Sequence, residues 1–266
     1  MEQSKIGLYI INESKNELFS EQASLIMEAA STIKLAIVHK ALEDAVASGM
    51  KPRAIKLQIL NKHLSLGSGI LNWNRKRQLS LMKLIFYALS YSDCVATNVL
   101  IDYVGGKAIF NKWMQEKGFE DTRLVVDSMY PLDSPTQPEV AMTSARDLAA
   151  ISHDIFFHHG HDRHYRKLHK YLMNSKLSWM RFYTDNNSDL NMCFKTGSII
   201  YDQPGLTSNI NAVGMAEVNG AMLFYGVLSE YVFVKDAWAT KLEIEKSKNN
   251  VANRLILEIR KAADNI

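Results

Sequence analysis

The 266-residue sequence predicts an α+β fold in which one antiparallel sheet of about five strands is flanked by terminal helices and carries an inserted all-α lobe. Strand-like runs occur at both ends of the chain, and helical patterns fill the region between them. Strands from the two ends are expected to complete one sheet. We expect a single domain over 1–266, with a sheet lobe of about 1–50 and 185–266 and a helical lobe of about 51–184.

The N-terminal region predicts a hairpin followed by a helix. The runs "IGLYII" and "LFSEQASLI" are rich in β-branched and aromatic residues, and the polar segment "NESKNE" between them is typical of a turn. From Ser31 onward, apolar residues recur at three- and four-residue steps until Gly49, a residue typical of the position after a helix.

The rest of the chain predicts helices and then strands. Helical patterns occur in "QLSLMKLIFYALS", "CVATNVLIDYVGG" and "GKAIFNKWMQEKG". Three strand-like runs follow, "MCFKTGSI", "TSNINAVGMAEV" and "NGAMLFYGVLSE", with "EVNGAM" as the predicted hairpin turn. A helix from about Lys235 to Ala263 is expected to close the chain.

Composition excludes several classes of protein. Lys plus Arg number 31 against 28 for Asp plus Glu, and a net charge of +3 over this length does not indicate a nucleic-acid partner. No apolar run is long enough for a membrane span. The N-terminal residues lack the apolar core of a signal peptide, so we expect a cytoplasmic protein as the chain stands, or a secreted one if a signal was removed. Two cysteines, Cys94 and Cys193, do not indicate a disulfide framework.

Ser31 and Lys34 are the first residues that suggest chemistry. Three residues apart on a helix, they lie on one face, where a neutral lysine amine can take the serine proton. The helix start would also stabilise negative charge there. The alternative is an ordinary helix cap and first turn, since Ser and Lys are common at such positions.

Two further motifs follow in the sequence. Ser92 and Asp93 precede a helical run, and Lys195, Thr196 and Gly197 lie in a predicted strand. Taken singly, the first pair is explained as capping groups and the glycine as a bulge or turn. Together, S-x-x-K, S-D-x and K-T-G occur in the order and at the approximate spacing of the penicillin-recognising serine enzymes, which include the class A β-lactamases.

The resemblance to class A β-lactamases extends over nearly the whole chain. The segment "FSEQASLIMEAASTIKLAIVHKAL" resembles the strand and helix around that family's nucleophile. "LGSGIL", "SDCVATNVLIDYVGG" and "TSARDLAAI" are similar to later segments of the family. The resemblance implies a β-lactamase/transpeptidase-like fold and a serine hydrolase whose active site lies between the sheet lobe and the helical lobe.

The resemblance also implies a role for each matching residue. Ser31 would be the acylated nucleophile and Lys34 its base or proton relay. Ser92 would pass a proton to the leaving nitrogen, and Lys195 would set the local electrostatics and attract a substrate carboxylate. No cofactor or metal is required, because nucleophile, base and oxyanion donors are all protein groups. The implied substrate-binding residues are Asp93, Cys94, Thr196, Gly197 and Ser198.

Three departures from the family pattern affect the predicted activity. Cys94 replaces the usual asparagine, and a buried inert cysteine is favoured over a reactive thiol there. The loop "TRLVVDSMYPLDSPTQPEVAMTSARD" lacks the family's Glu-x-x-Leu-Asn segment, whose glutamate orients the deacylating water. Asp127 is the best substitute by position, and a solvated loop aspartate is the favoured alternative. No arginine occurs in "GAMLFYGVLSE", where the family often pairs one with the substrate carboxylate.

The sequence therefore predicts a serine hydrolase that forms an acyl-enzyme on Ser31 with a small-molecule β-lactam, amide or ester. Acylation has candidates for all its groups, whereas deacylation lacks a convincing base. One alternative is a penicillin-binding protein or esterase with slow turnover. A further alternative is a non-catalytic ligand-sensing module. The physiological substrate and the oligomeric state stay open.

A histidine-rich segment, "HDIFFHHGHDRHYRKLHK", raises the separate question of a metal site. His and Asp clusters can bind zinc, but this spacing matches no established metal motif. We expect a solvated basic turn and no metal. The segment contains His153, His158, His159, His161, His164 and His169.

Overall fold

A five-stranded antiparallel sheet forms the centre of the protein, with strand order β2-β1-β10-β9-β8. The computed structural model describes residues 2–74, 77–133, 139–159, 162–173, 175, 178–184, 190–200, 207–232 and 237–266. The chain ends meet in this sheet because β1 pairs with β10, which confirms the predicted α+β class. The strands are β1 (Glu2–Asn12), β2 (Glu17–Glu21), β8 (Asn191–Ile199), β9 (Thr207–Val218) and β10 (Ala221–Val232).

Both predicted hairpins are present. In the first, the Asn12 side chain accepts hydrogen bonds from the backbone amides of Ser14 and Asn16 and so closes the β1–β2 turn. In the second, Asn219 and Gly220 form a two-residue loop between β9 and β10, with φ of 53° and 83°. Positive φ at both positions gives the turn the twist that an antiparallel pair requires.

The helices follow the predicted apolar periods, with α1 (Ile33–Ala47) preceded by a 3₁₀ turn at Ala30–Thr32. Gly49, at a φ of 68°, follows the end of α1, as its sequence position predicts. No described helix combines the length and apolarity needed to cross a bilayer. The others are α2 (Leu81–Ser90), α3 (Cys94–Tyr103), α4 (Gly106–Glu116), α5 (Ala145–His153), α6 (Tyr165–Met173), α7 (Arg181–Thr184) and α8 (Ala237–Asp264), with a π-helical turn at Asp154–His158.

Short strands within the inserted region were not predicted. β4 (Lys56–Gln58) pairs with β5 (Gln78–Ser80), so the first three residues of the predicted helix "QLSLMKLIFYALS" are a strand. A second small sheet has the order β3-β7-β6. Its strands are β3 (Met27–Glu28), β6 (Arg123–Leu124) and β7 (Ala141–Thr143).

Each face of the central sheet packs on a separate hydrophobic core. Side chains alternate along β10, so that Phe224 packs with α1 and the inserted helices, whereas Tyr225 packs with α8 around Leu255. Strand β8 is left at the edge of the sheet, beside the 3₁₀ turn that precedes α1. This edge is where the three sequence motifs meet.

Candidate active site

The predicted nucleophile Ser31 lies in the middle of the 3₁₀ turn and is half-buried. Ala30 before it has a φ of 48°, a conformation that is rare for a residue with a side chain. The Thr32 hydroxyl donates to the carbonyl of Ala29 at 2.6 Å, and Thr32 rather than Ser31 occupies the N-cap position of α1. The capping explanation of Ser31 is therefore wrong.

Lys34 projects from the first turn of α1 into the interior and is only 1% exposed. Its Nζ donates to the backbone carbonyl of Ser92 and lies 3.3 Å from the Ser92 hydroxyl. It also lies 3.4 Å from the Sγ of Cys94. The first two motifs are thus joined by direct hydrogen bonds.

Lys195 of β8 reaches the same hydroxyl from the opposite side. Its Nζ donates to Ser92 Oγ at 3.1 Å and to the carbonyl of Thr196. Burial lowers the pKa of Lys195 well below its usual value, and the neighbouring amine of Lys34 lowers it further. Among the ion pairs of the described residues, none involves Lys34 or Lys195.

Gly197 allows β8 to approach the nucleophile turn. A Cβ at this position would lie 2.7 Å from the amide nitrogen of Ser31 and 2.9 Å from that of Thr32. The family resemblance implies that this glycine makes room for substrate; the structure shows that it makes room for the protein's own turn. Ser198 follows on the exposed side of the strand.

Two adjoining cavities at this junction bring the motifs together. The first, of about 140 Å³, is lined by a hydroxyl-bearing residue of each motif and by Lys195, whereas Lys34 lies behind its wall. The second, of about 260 Å³, extends past the first toward the inserted region. The first is lined by Ser31, Ser68, Ser92, Ser175, Trp179, Lys195, Thr196 and Ser198, and the second by Ala30, Ser31, Leu66, Gly67, Ser68, Cys94, Met129, Tyr130, Val140, Ser198 and Ile199.

Three of the six described non-glycine residues with a positive φ line these cavities. Ala30, Ser92 and Tyr130 line them and have φ values of 48°, 52° and 49°. A left-handed conformation costs a residue with a side chain about 1–3 kcal/mol, and it persists only where surrounding contacts enforce it. Such strain is characteristic of functional sites.

Asp93 and Cys94 lie behind the wall of the first cavity. The Asp93 carboxylate is fully buried and accepts hydrogen bonds from the amides of Ala96, Ile70 and Leu71 at 2.9, 2.6 and 2.9 Å. It therefore caps α3 and holds a loop, so the expected position on the substrate-binding surface is wrong for this side chain. Cys94 is 2% exposed and touches the second cavity.

Sequence reasoning missed several cavity residues. Ser68 donates from its hydroxyl to the carbonyl of Ser92 at 2.7 Å. The segment "LGSGIL", which resembles the loop before the family's second motif, is the signal that could have identified it. Trp179 and Tyr130 carry no motif and are brought to the site only by folding.

Glu28 was also missed, since nothing in its local sequence marks it. Its buried carboxyl accepts hydrogen bonds from the amides of Val140 and Ala141 and ties a cavity wall to β3. Burial raises the pKa of Glu28 to about 7.

The loop carboxylates considered for deacylation lie elsewhere. Asp127 is 72% exposed and faces Lys107 at 3.7 Å, which favours its interpretation as a solvated loop residue. Asp133 and Glu139 are exposed. Among the described residues, no carboxylate lines either cavity.

The histidine-rich segment is not the expected solvated turn. His153 is 4% exposed, and its Nε2 lies 2.8 Å from the carbonyl of Glu13. His164 is 9% exposed, so the expectation of solvation is wrong for both histidines. His161 lies outside the described residues, as does the side chain of His158.

The penicillin-recognising serine enzymes share this architecture. They combine a central sheet of this strand order with inserted helices, and a pocket with serine and lysine side chains lies where the two meet. The model of the Beta-lactamase enzyme family matches residues 1–242, and the chain belongs to this family. A search of curated proteins finds no match to the sequence.

Solved structures share the fold at low sequence identity. PBP-A superposes with a TM-score of 0.79 at 22% identity, covering 100% of this chain and 92% of that one. A leucine-to-glutamate mutant of PBP-A, in an acyl-enzyme complex with penicillin G, gives 0.79 at 21% over the same shares of 100% and 92%. A class A β-lactamase from Bacteroides cellulosilyticus DSM 14838 gives 0.78 at 14%, covering 98% and 91%.

Proposed function

We propose that this protein is a serine hydrolase that forms an acyl-enzyme through Ser31 with a β-lactam or a related amide or ester. The observation that carries the proposal is the Ser92 hydroxyl, which lies between the amines of Lys34 and Lys195 in the cavity that Ser31 also lines. Two buried lysines without a carboxylate partner among the described residues are costly to a fold. A module that only binds ligand has no need of them.

Acylation begins with proton removal from Ser31. Lys34 accepts the proton from the Ser31 hydroxyl, and the oxygen attacks the substrate carbonyl carbon. The amides of Ser31 and Ser198 donate to the developing oxyanion. The close approach of β8 to the nucleophile turn, which Gly197 allows, supports this pairing of amides.

Collapse of the tetrahedral intermediate requires a proton on the leaving nitrogen. Ser92 donates its hydroxyl proton as the carbon–nitrogen bond breaks, and it is reprotonated from Lys34, which lies 3.3 Å away. Lys34 is thereby returned to its neutral form. The product of these steps is the Ser31 ester of the opened substrate.

An anionic group on the substrate fits the cationic side of the cavity. Lys195 supplies the positive potential, and the hydroxyls of Thr196 and Ser198 line the same wall. Trp179 borders this wall and offers an apolar surface to a substrate side chain.

Release of the acyl group is expected to be slow. Hydrolysis of the ester requires a base to activate water, and none of the described cavity residues is a carboxylate. This observation favours a penicillin-binding type of acyl-enzyme over a rapid β-lactamase. The acyl-enzyme complex of a PBP-A mutant with penicillin G supports the acylation step on a protein of this fold.

Burst kinetics with a chromogenic cephalosporin tests the proposal. We expect a rapid burst of product equal to the amount of enzyme, followed by a much slower steady rate. The burst should disappear in Ser31→Ala and persist in Ser48→Ala, which removes a hydroxyl from the other end of α1. If the wild type turns over substrate without a burst, deacylation is not the slow step. If Ser31→Ala still gives a burst, Ser31 is not the nucleophile.

A further inference from the structure

Away from the cavities, three potential metal ligands converge from separate parts of the chain. His39 lies in the middle of α1, and Asp154 and His159 lie at the π-helical turn after α5. The Nε2 of His39 is 2.7 Å from the Oδ2 of Asp154, and the Nε2 of His159 is 3.9 Å from the same oxygen. All three ligand atoms lie within 4.8 Å of one another.

These separations suit a small tetrahedral cation. Zinc binds histidine nitrogen and carboxylate oxygen at about 2.0–2.2 Å, which puts neighbouring ligand atoms roughly 3.3 Å apart. The two distances to the Asp154 oxygen, 2.7 and 3.9 Å, lie on either side of this value. A rotation of the His159 side chain would shorten the longer distance, and a shift of the Asp154 carboxylate away from His39 would lengthen the shorter one.

Tyr165 orients both imidazole rings. Its hydroxyl oxygen lies 3.0 Å from Nδ1 of His39, and the same hydroxyl donates to the backbone carbonyl of His39 at 3.4 Å. With its proton directed to that carbonyl, the hydroxyl accepts from Nδ1–H and fixes the ring. Zinc would then replace the hydrogen bond between Nε2 and Asp154 and release its proton. The Tyr165 ring also stacks on His159, with centroids 4.7 Å apart and an interplanar angle of 15°.

Access to the cluster is one-sided. The His39 side chain is fully buried, whereas the side chains of Asp154 and His159 are 18% and 26% exposed. The Nε2 of His159 is itself buried, so a cation would enter from the side of Asp154 and His159 as that ring turns, and a water molecule would complete the fourth position.

We propose that His39, Asp154 and His159 form a zinc site that joins α1 to the π-helical turn. The cation would clamp the helix that begins at the Ser31 turn to the segment that packs behind it. The proposal is independent of the hydrolase reaction, because none of these residues lines the active-site cavities. Sequence spacing did not indicate the site, because His39 lies far from the other two ligands along the chain.

Titration of the chelator-treated full-length protein with zinc alone tests the proposal. We expect one zinc ion per chain by calorimetry and native mass spectrometry. The thermal midpoint should rise by about 5–10 °C at free zinc one hundredfold above its dissociation constant.

Two variants remove ligands in different ways. Asp154→Asn keeps the shape of the carboxyl group, and His159→Phe keeps the ring stack on Tyr165. Each should weaken zinc binding by about tenfold or more and reduce the zinc-induced thermal shift. Asp102→Asn is the matched control, since Asp102 pairs with His63 at 3.3 Å and no third ligand joins them among the residues that the structure describes. This variant should bind zinc like the wild type.

The proposal is overturned if the wild-type protein binds zinc no better than the two ligand variants. That result would show that the cluster is only a buried His–Asp ion pair. Because each zinc-induced shift is compared with the same variant without zinc, a general loss of stability does not imitate this outcome. If Asp154→Asn does not fold, the partly exposed His159→Phe decides the matter alone.

Discussion

The Nζ of Lys195 donates a hydrogen bond to the hydroxyl of Ser92 at 3.1 Å, across the boundary between the central sheet and the inserted helices. Ser92 holds a φ of 52°, which directs its side chain and carbonyl toward the two buried amines. Strain at this residue is maintained by contacts from both sides. The proposed proton transfer through Ser92 rests on this arrangement.

Removal of the Ser92 hydroxyl should therefore slow acylation. Loss of a group that transfers protons in the transition state costs about 10²- to 10⁴-fold. Ser92→Gly is the suitable variant, because glycine adopts a φ of 52° without strain and keeps the backbone in place. Stopped-flow acylation rates check the prediction, and an unchanged rate in this variant would exclude Ser92 from the relay.

Lys195→Met should make the protein more stable at pH 7 and less able to bind anionic substrates. Burial lowers the pKa of Lys195 below its usual value of 10.5, so the unfolded chain binds more protons in the interval between the two pKa values. Wild-type stability therefore rises with pH through that interval. Removing the amine should raise the free energy of unfolding at pH 7 by about 1 kcal/mol or more.

Urea unfolding at pH 7 and pH 10 measures this effect, with Lys112→Met as the control. The Lys112 side chain is 73% exposed, so its replacement should change neither the stability nor its pH dependence appreciably. Equal stability of Lys195→Met and wild type at pH 7 would show that the buried amine carries no folding cost.

Glu28→Gln should make the free energy of unfolding depend less on pH. The pKa of Glu28 is about 7 in the folded protein against 4.5 for a free side chain, so the folded state binds more protons between these values. Its contribution to stability is present below pH 4.5 and is lost as pH rises through 7, by up to about 3 kcal/mol. The amide oxygen of glutamine still accepts the bonds from Val140 and Ala141.

The difference in unfolding free energy between pH 4.5 and pH 8 should thus be smaller in Glu28→Gln than in the wild type. Glu120→Gln, at an exposed position, is the control for a change of charge alone. Identical pH profiles for Glu28→Gln and wild type would contradict the assignment of a raised pKa to Glu28.

Gly197→Ala should impair acylation more than folding. The added Cβ would lie 2.7 Å from the Ser31 amide, so β8 or the nucleophile turn must shift and the two oxyanion donors separate. A loss of about 10²- to 10³-fold is typical for removal of one oxyanion donor. Gly118→Ala, at a φ of 80° with open space around it, imposes backbone strain without touching the site.

Acylation rates and unfolding free energies of these two glycine variants are compared directly. Gly118→Ala should lose stability and keep its acylation rate, whereas Gly197→Ala should lose the rate. Parallel losses in both variants would mean that Gly197 acts through general stability only.

Much of the fold follows from local patterns in the sequence. The β9–β10 turn depends on Asn219 and Gly220, and the end of α1 depends on Gly49, because these residues accept positive φ readily. The three-residue strands β4 and β5 carry no such signal. They form because distant segments pair, so "QLS" was assigned to the following helix.

In the candidate site too, the sequence motifs predict some residues, whereas the roles of others depend on contacts that only the fold creates. Ser31, Lys34, Ser92 and Lys195 were predicted from motif order, and folding brings the last three into direct hydrogen bonding. The buried role of Asp93 depends on a loop that reaches it in space and was not predictable from its neighbours.

Acylation of Ser31 can be observed by intact-protein mass spectrometry after the protein is mixed with penicillin G. We expect a mass increase of one penicillin per chain, located on Ser31 by peptide fragmentation and absent from Ser31→Ala. The adduct should outlast the mixing period, since the described cavity residues offer no carboxylate for its hydrolysis. An adduct on another residue, or no adduct on a folded wild-type protein, would show that Ser31 is not the residue that penicillin G acylates.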